Sequence, residues 1–524
     1  MDERLATLLA DLERAETLAG GELHRAARRG AWVAEFTAGQ LAEFLEAVGD
    51  LSLPLSPGGD RLLANWLVTA VQARRKAVED RRTGSPDDAR TIAAVEALYP
   101  RLGAASRARG QLLTWLATAA SDVELELFGR LLLDDPPQDD EDVVQALAPW
   151  FSRQRGRAAK LFPRLLNAMG SPGLAAPILD LANFLTREKH VSEHPAKEVA
   201  SELTALLGEL VQTLLLLEER PDQFGDSPQE LSRRVARGVA LAVSLCDALA
   251  LMGDKSATGK LYQALKVGHR RLRTEAAAAL ARLGEEQGAT ELVQLAAEPI
   301  ARQRVLAYAE ELGLMDKIEP QYATKEAQAE AELCVWLAEP TQYGVPPTSC
   351  ELYDHREQHW PGFDDPVDCF LFQFQYLVTV EEGLEQSFSN IGIAGPLVHA
   401  FVADLADLPA EEIYAAFAGW HAQHDDIREF DVARLSKSEQ IEVERLKRRL
   451  NDAGYSSIEP QRMGYFFGEK ALVALAQRQG VAGVAVADFQ DTLFFPQRHS
   501  RRPLGVEEAY SIYKGRKLLK AFNR

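Results

Sequence analysis

The sequence has little cysteine: four residues, at 246, 334, 350 and 369, in a chain of 524. Usage this low excludes a disulfide-stapled secreted scaffold and fits free thiols in a reducing compartment. Positive charge is also short. Lys and Arg number 58 against 78 Asp and Glu, for a formal net charge of -20. Such a surface repels nucleic acid and anionic lipid at long range, which argues against nucleic acid and membrane as general partners. The basic clusters "RRKAVEDRR", "HRRLR" and "KGRKLLK" are short and read as solvated helix faces. Long apolar runs are missing too. The densest, Val235 to Gly253, carries Arg237 and Asp247 and ends at a helix stop, so it reads as a buried helix. The opening "MDERLATLLADLERAE" lacks the order of a signal peptide, and we expect a cytoplasmic protein.

Catalytic signatures are equally scarce. There is no G-x-S-x-G, no C-x-x-C and no P-loop; "GDKSATGK" is followed by Leu261 where Ser or Thr is needed. The acid run Asp134, Asp135, Asp139, Asp140, Glu141, Asp142 lacks the alternating ligands, the Gly and the distal Glu of a calcium loop. It reads as a loop whose acids sit at the N-terminus of a helix starting near Asp142, where the dipole favours them.

What is present is a helical repeat. Gly253, Gly284 and Gly313 each follow Met or Leu at the end of an apolar-periodic run, at spacings of 31 and 29 residues. Gly in that position stops a helix by taking the left-handed conformation without a Cβ clash. Leu261, Tyr262, Ala264 and Leu265 follow the first glycine at the offsets that Leu292, Val293, Leu295 and Ala296 follow the second, which marks one helix face. A second helix then follows in each unit. Thr258 and Thr290 stand near the first-helix starts, as expected caps. Met169-Gly170 begins a further copy, with Ile178, Leu179, Leu181 and Ala182 at the same offsets.

Two helices per unit, a period near 30 and a Leu-Gly stop resemble the HEAT-like repeats, especially the short class of the phycobilisome lyase subunits. The resemblance is clearest over 249–313. It implies a bacterial HEAT-like α-solenoid of stacked helix pairs, because such units bury their apolar faces only against neighbours. The remaining segments before residue 338 read as further helix pairs.

From residue 339 the character changes. Six of the ten histidines fall between His355 and His499. "VDCFLFQFQYLVTV" alternates as a strand, "SFSNIGIAGPLVHAF" reads as a strand broken at Gly-Pro, and "GVAGVAVADF" as a short buried strand. "LPAEEIYAAFAGWHAQH" and "SKSEQIEVERLKRRLNDAGY" read as helices, the second capped by Ser436 or Ser438 and stopped at Gly454. The tail closes with a basic helix. The stretch from "WPGFDDP" to "AAFAGWHAQHDDI" is similar to tails of bacterial HEAT-like proteins, which implies no activity.

Histidine spacing offers two metal candidates. In "HREQH" the glutamate stands one place late for a zincin and one place early for its inverse. Pro361-Gly362 leaves barely one turn for a helix after Asp354 and favours extended structure before it, so a strand is expected from Glu351 to His359, with Tyr353, His355, Glu357 and His359 on one face. Four residues apart on a strand means roughly 13 Å, too far to share a metal. Cys350 and Cys369 do not complete a usual zinc set. His421 and His424 stand three apart on an expected helix, and His399 on the strand before them; a His₂-carboxylate site is conceivable there. The simpler reading is a helix C-terminus whose histidines face the negative end of the dipole.

The sequence thus leads to a mainly α protein: a HEAT-like α-solenoid over 1–338 and an α+β domain over 339–524. The expected role is a non-catalytic scaffold or adaptor that binds protein partners and needs no cofactor. Two rivals stand beside it: a metal-dependent enzyme using His399, His421 and His424, and a tetrapyrrole-lyase-like solenoid.

Overall fold

The computed structural model describes residues 3–79, 86–119, 121–152, 154–224, 227–379, 385–497 and 502–523. The chain divides into two compact units, Met1–Leu292 and Val293–Arg524. The division falls inside helix Glu286–Gln294. The boundary expected after residue 338 lies within the second unit, between helix Lys325–Leu337 and the first strand.

The described part of the first unit is helical. Along it, each helix stacks on one two places further on. Pro57–Glu79 packs on Arg107–Ala119, which packs on Asp140–Phe151, then Pro172–Arg187, Pro228–Met252 and Arg270–Arg282. Asp122–Asp134, Ala200–Glu219 and Thr258–Ala264 pack beside that ladder. The sequence produces this through helical periodicity. Val143, Ala146, Leu147 and Trp150 recur on one face and are at most 1% exposed. Each large side chain so buried contributes roughly 1.5–3 kcal/mol.

The three repeat glycines stop helices as their sequence context demands. Gly253, Gly284 and Gly313 have φ of 70°, 90° and 67°. Past each one, a backbone N–H reaches back to close the turn: Asp254 to Leu249 O at 3.1 Å, Glu285 to Leu280 O at 3.0 Å, Leu314 to Ala309 O at 2.7 Å. Gly170 is different. It follows the 3-10 turn Arg164–Ala168 and is not left-handed, although the helix after it does bury Ile178, Leu179, Leu181 and Ala182. The expected threonine caps also differ. The Thr258 and Thr290 hydroxyls donate back to Lys255 O and Glu286 O, because both residues already lie inside their helices. Asp254 does the capping, accepting the Ser256 N–H at 3.0 Å.

In the acid run, Asp139 caps the helix, which begins at Asp140. Asp135 pairs with Arg109, and Asp140 with Arg237. By length and composition, Lys197–Glu219 and Gln229–Met252 suffice to cross a membrane. The second buries Ala242, Leu245, Cys246, Ala248 and Leu249 completely among its helical neighbours.

The second unit adds two antiparallel sheets to helices Pro299–Leu312 and Lys325–Leu337. The first sheet holds β1 (Ser349–Gln358), β2 (Val367–Thr379), β3 (Glu385–Ala394) and β4 (His399–Ala400), in that order. The second holds β5 (Ile427–Asp431), β6 (Tyr455–Phe466), β7 (Glu469–Arg478), β8 (Val481–Ala487) and β9 (Thr492–Pro496), again in order. On the first sheet, Leu333 and Leu337 of Lys325–Leu337 cover Phe370, Phe372 and Phe374. Helix Ala410–His421 covers the other face, at Leu371, Ile391 and Ile393. On the second sheet, Leu446 and Leu450 of Lys437–Asp452 cover Leu472, Ala474 and Ala485. Helix Val506–Phe522 covers its other face, at Ala471, Val473, Val484 and Val486. Helices Ala410–His421 and Val506–Phe522 then pack on each other between the sheets.

The two halves of this unit repeat one plan: helix, four-strand meander, helix. The second half inserts β5 before its first helix. Residues follow the plan. The opening helices read Thr324-Lys-x-x-Gln-x-Glu-x-Glu and Ser436-Lys-x-x-Gln-x-Glu-x-Glu, and Thr324 and Ser436 both serve as caps. The closing helices read Glu411-Glu412-x-Tyr414-x-x-Phe417-x-Gly419 and Glu507-Glu508-x-Tyr510-x-x-Tyr513-x-Gly515. Strand register agrees: Leu371 beside Ile393 matches Val473 beside Val486. Where the closing helices cross, a Cβ on Gly419 would lie 1.8 Å from Ser511 O, and one on Gly515 would lie 1.8 Å from Ala415 O. Ala415 and Ser511 are themselves counterparts, so the crossing is a local twofold.

Candidate functional site

The structure separates the histidines that the sequence grouped. Helix Ala410–His421 ends at His421, and His424 lies in the turn before β5, so the two do not share a helix face. Two aspartates after His424 favour a turn there: the His424 Nδ1 accepts the Asp426 N–H at 3.1 Å. The His421 Nδ1 instead accepts the buried Trp360 indole N–H at 2.9 Å. Burial holds His421 below the usual histidine range. His399 stacks on Trp420 with ring centroids 3.9 Å apart, and burial lowers it to about 4. Each ring has its own partner, and no group of three metal-ligating side chains forms among the described residues.

"HREQH" is strand up to Gln358, as its following Pro-Gly requires. His355 and Glu357 share the exposed face; a bulge between Leu352 and Asp354 takes Tyr353 out of that register. His355 stacks on Phe370 at 4.3 Å and lies 2.8 Å from Asp368, which also accepts from Lys325. Contact with the Cys334 thiol, together with burial, pushes the Cys350 thiol far up. Burial pushes Cys369 up to about 11. These are protonated, weakly nucleophilic thiols.

Two concave sites stand out. In the second unit, a cavity of 890 Å³ opens between the paired closing helices and the second sheet. Asp488, just past β8, is 4% exposed and anchors its wall. It accepts the Gln490 and Asp491 N–H groups at 2.7 and 2.6 Å, the Lys517 ammonium at 2.9 Å and the Tyr513 hydroxyl at 3.1 Å. Burial works to raise the Asp488 carboxyl, but these hydrogen bonds outweigh it and bring it below the usual range. Burial likewise opposes the Lys517 ammonium, while Glu469, Asp488 and Tyr513 hold it above the ordinary lysine value. Arg516 pairs with the buried Glu412, at 2.7 Å from Nε to Oε2. The Gln358 side chain lies at the wall with its N–H fully buried beside the Cys369 thiol.

In the first unit, a groove of 480 Å³ has Met169, Leu206, Leu210 and Leu241 as its apolar floor and Arg233, Arg234 and Arg237 on its rim. Gly238 allows it: a Cβ there would press to 3.3 Å on Leu214 and 3.5 Å on Leu210.

No family model, curated protein or solved structure matches this chain. The sequence reading missed both sites. The groove combines helices far apart in sequence. The cavity rests on a repeat, Glu-Glu-x-Tyr-x-x-aromatic-x-Gly, that aligning the chain on itself would have found.

Proposed function

We propose that the protein is a non-catalytic scaffold whose first unit is a HEAT-like solenoid that docks a protein partner. The observation that carries this reading is the groove: a half-buried apolar floor set in a ladder of stacked helices and rimmed by arginines. Stacked helix pairs present extended surfaces with many side chains and no enclosed pocket, which suits protein binding. Arg233, exposed on the rim, favours a partner segment that carries an acid beside its apolar side chains. The metal-enzyme and tetrapyrrole readings receive no such support.

The test is paired affinity purification of the wild type and Leu210→Asp from the native host, followed by mass spectrometry. A charge at the centre of an apolar contact is expected to release the partner. Proteins that enrich equally with both forms would count against the groove. If none enriches with the wild type, the scaffold reading fails.

A further inference from the structure

The second unit contains its own control, because two copies of one plan show which side chains the fold needs. Around the 890 Å³ cavity the second copy places Glu469, Asp488, Tyr513, Arg516 and Lys517. By strand register and helix alignment, their counterparts in the first copy are Val367, Gly395, Phe417, Trp420 and His421. None of these is charged at neutral pH, since burial keeps His421 below the usual range. The plan therefore closes without ions at these positions. Withdrawing Asp488 and Lys517 from water is costly, and the first copy folds with Gly395 and the uncharged His421 in their places.

From this asymmetry we propose that the cavity is a binding site for a small zwitterionic ligand of short-peptide size. Its volume lies within the roughly 300–1,000 Å³ of small-molecule sites. Both signs of charge remain available on its wall. Lys520 forms no ion pair with a described residue, and neither do Glu411 and Asp491. Lys520 supplies a donor for a carboxylate; Glu411 and Asp491 supply acceptors for an ammonium. A ligand of one sign would meet a like charge on the wall. The network of Asp488, Tyr513 and Lys517 is fully paired, so it sets the shape and field of the cavity before the ligand arrives. This proposal is independent of docking at the groove of the first unit.

Calorimetry on the full chain tests it with three probes: the dipeptide Lys-Glu with free termini, the dianion glutarate and the dication 1,5-diaminopentane. The dipeptide is expected to bind, and the single-sign probes to bind at least about tenfold more weakly. Lys520→Met and Glu411→Gln change exposed side chains and leave folding intact; each is expected to weaken the dipeptide by a similar factor. No binding of the dipeptide overturns the proposal. Equal binding of glutarate or diaminopentane overturns the zwitterion class. Unchanged dipeptide affinity in both variants places any binding elsewhere and overturns the site.

Discussion

His194 shows how one buried ring makes stability depend on pH. It is 4% exposed in the first unit, and a relay runs through it. The Ala196 N–H donates to Nδ1 at 3.1 Å, Nε2 faces Asn183 Oδ1 at 2.9 Å, and Asn183 donates to Ser244 O at 3.0 Å. Accepting at Nδ1 requires the neutral ring, and burial lowers its pKa from 6.5 to about 4. With a folded value below the unfolded one, stability is unaffected above pH 6.5 and falls as acid is added down to about 4. The full loss is at most about 3 kcal/mol. Asp142 works in the opposite sense. Burial first, then Asp139, raises it from 3.8 to about 6, so protonation below pH 6 favours the folded state and offsets part of that loss. Urea denaturation at pH about 7 and about 5 separates the two effects. The variant His194→Gln is expected to be less stable at pH 7 and to lose most of its acid sensitivity. Asp142→Asn is expected to steepen the fall below pH 6.

At the scale of elements, the crossing of Ala410–His421 with Val506–Phe522 depends on two absent side chains. Any Cβ at Gly515 meets the Ala415 carbonyl. Gly515→Ala must therefore push the helices apart and loosen Ala415, Phe417, Ile512 and Tyr513, all under 5% exposed. Overpacking of this kind costs about 1–3 kcal/mol and can be read from the denaturation midpoint. A change that leaves the midpoint unmoved would mean the helices do not meet there. The element scale also explains what the sequence concealed. The glycine stops, β2 and the closing helices were legible because periodicity and caps agreed. β7, "EKALVALAQR", is rich in Ala and Leu, which favour helix; it becomes a strand because β6 and β8 pair with it on both sides. β6 carries Pro460 and Gly464 and two register irregularities, which erase its alternation.

At the scale of the molecule, the duplicated plan makes counterpart positions interchangeable. Ala415 and Ser511 face each other's glycines, so the exchange Ala415→Ser with Ser511→Ala preserves what each helix meets. The double variant is expected to stay within about 0.5 kcal/mol of the wild type. A much larger loss would show that the twofold is only approximate at the crossing. The candidate cavity was hidden from the sequence for a related reason. Its charged residues come from 356, 411, 412, 469, 488, 491, 516, 517 and 520, and only the fold of both copies brings them together.

The meander order has a consequence for synthesis. Among the described residues, every strand of this unit pairs only with its neighbours in sequence, so each sheet closes as it emerges from the ribosome. The helix crossing is the exception. Until Val506–Phe522 has been made, the Gly419 side of Ala410–His421 has nothing to pack on. A nascent chain halted between the two copies therefore bears an exposed apolar stripe matching its own missing half, and a second such chain carries the same stripe.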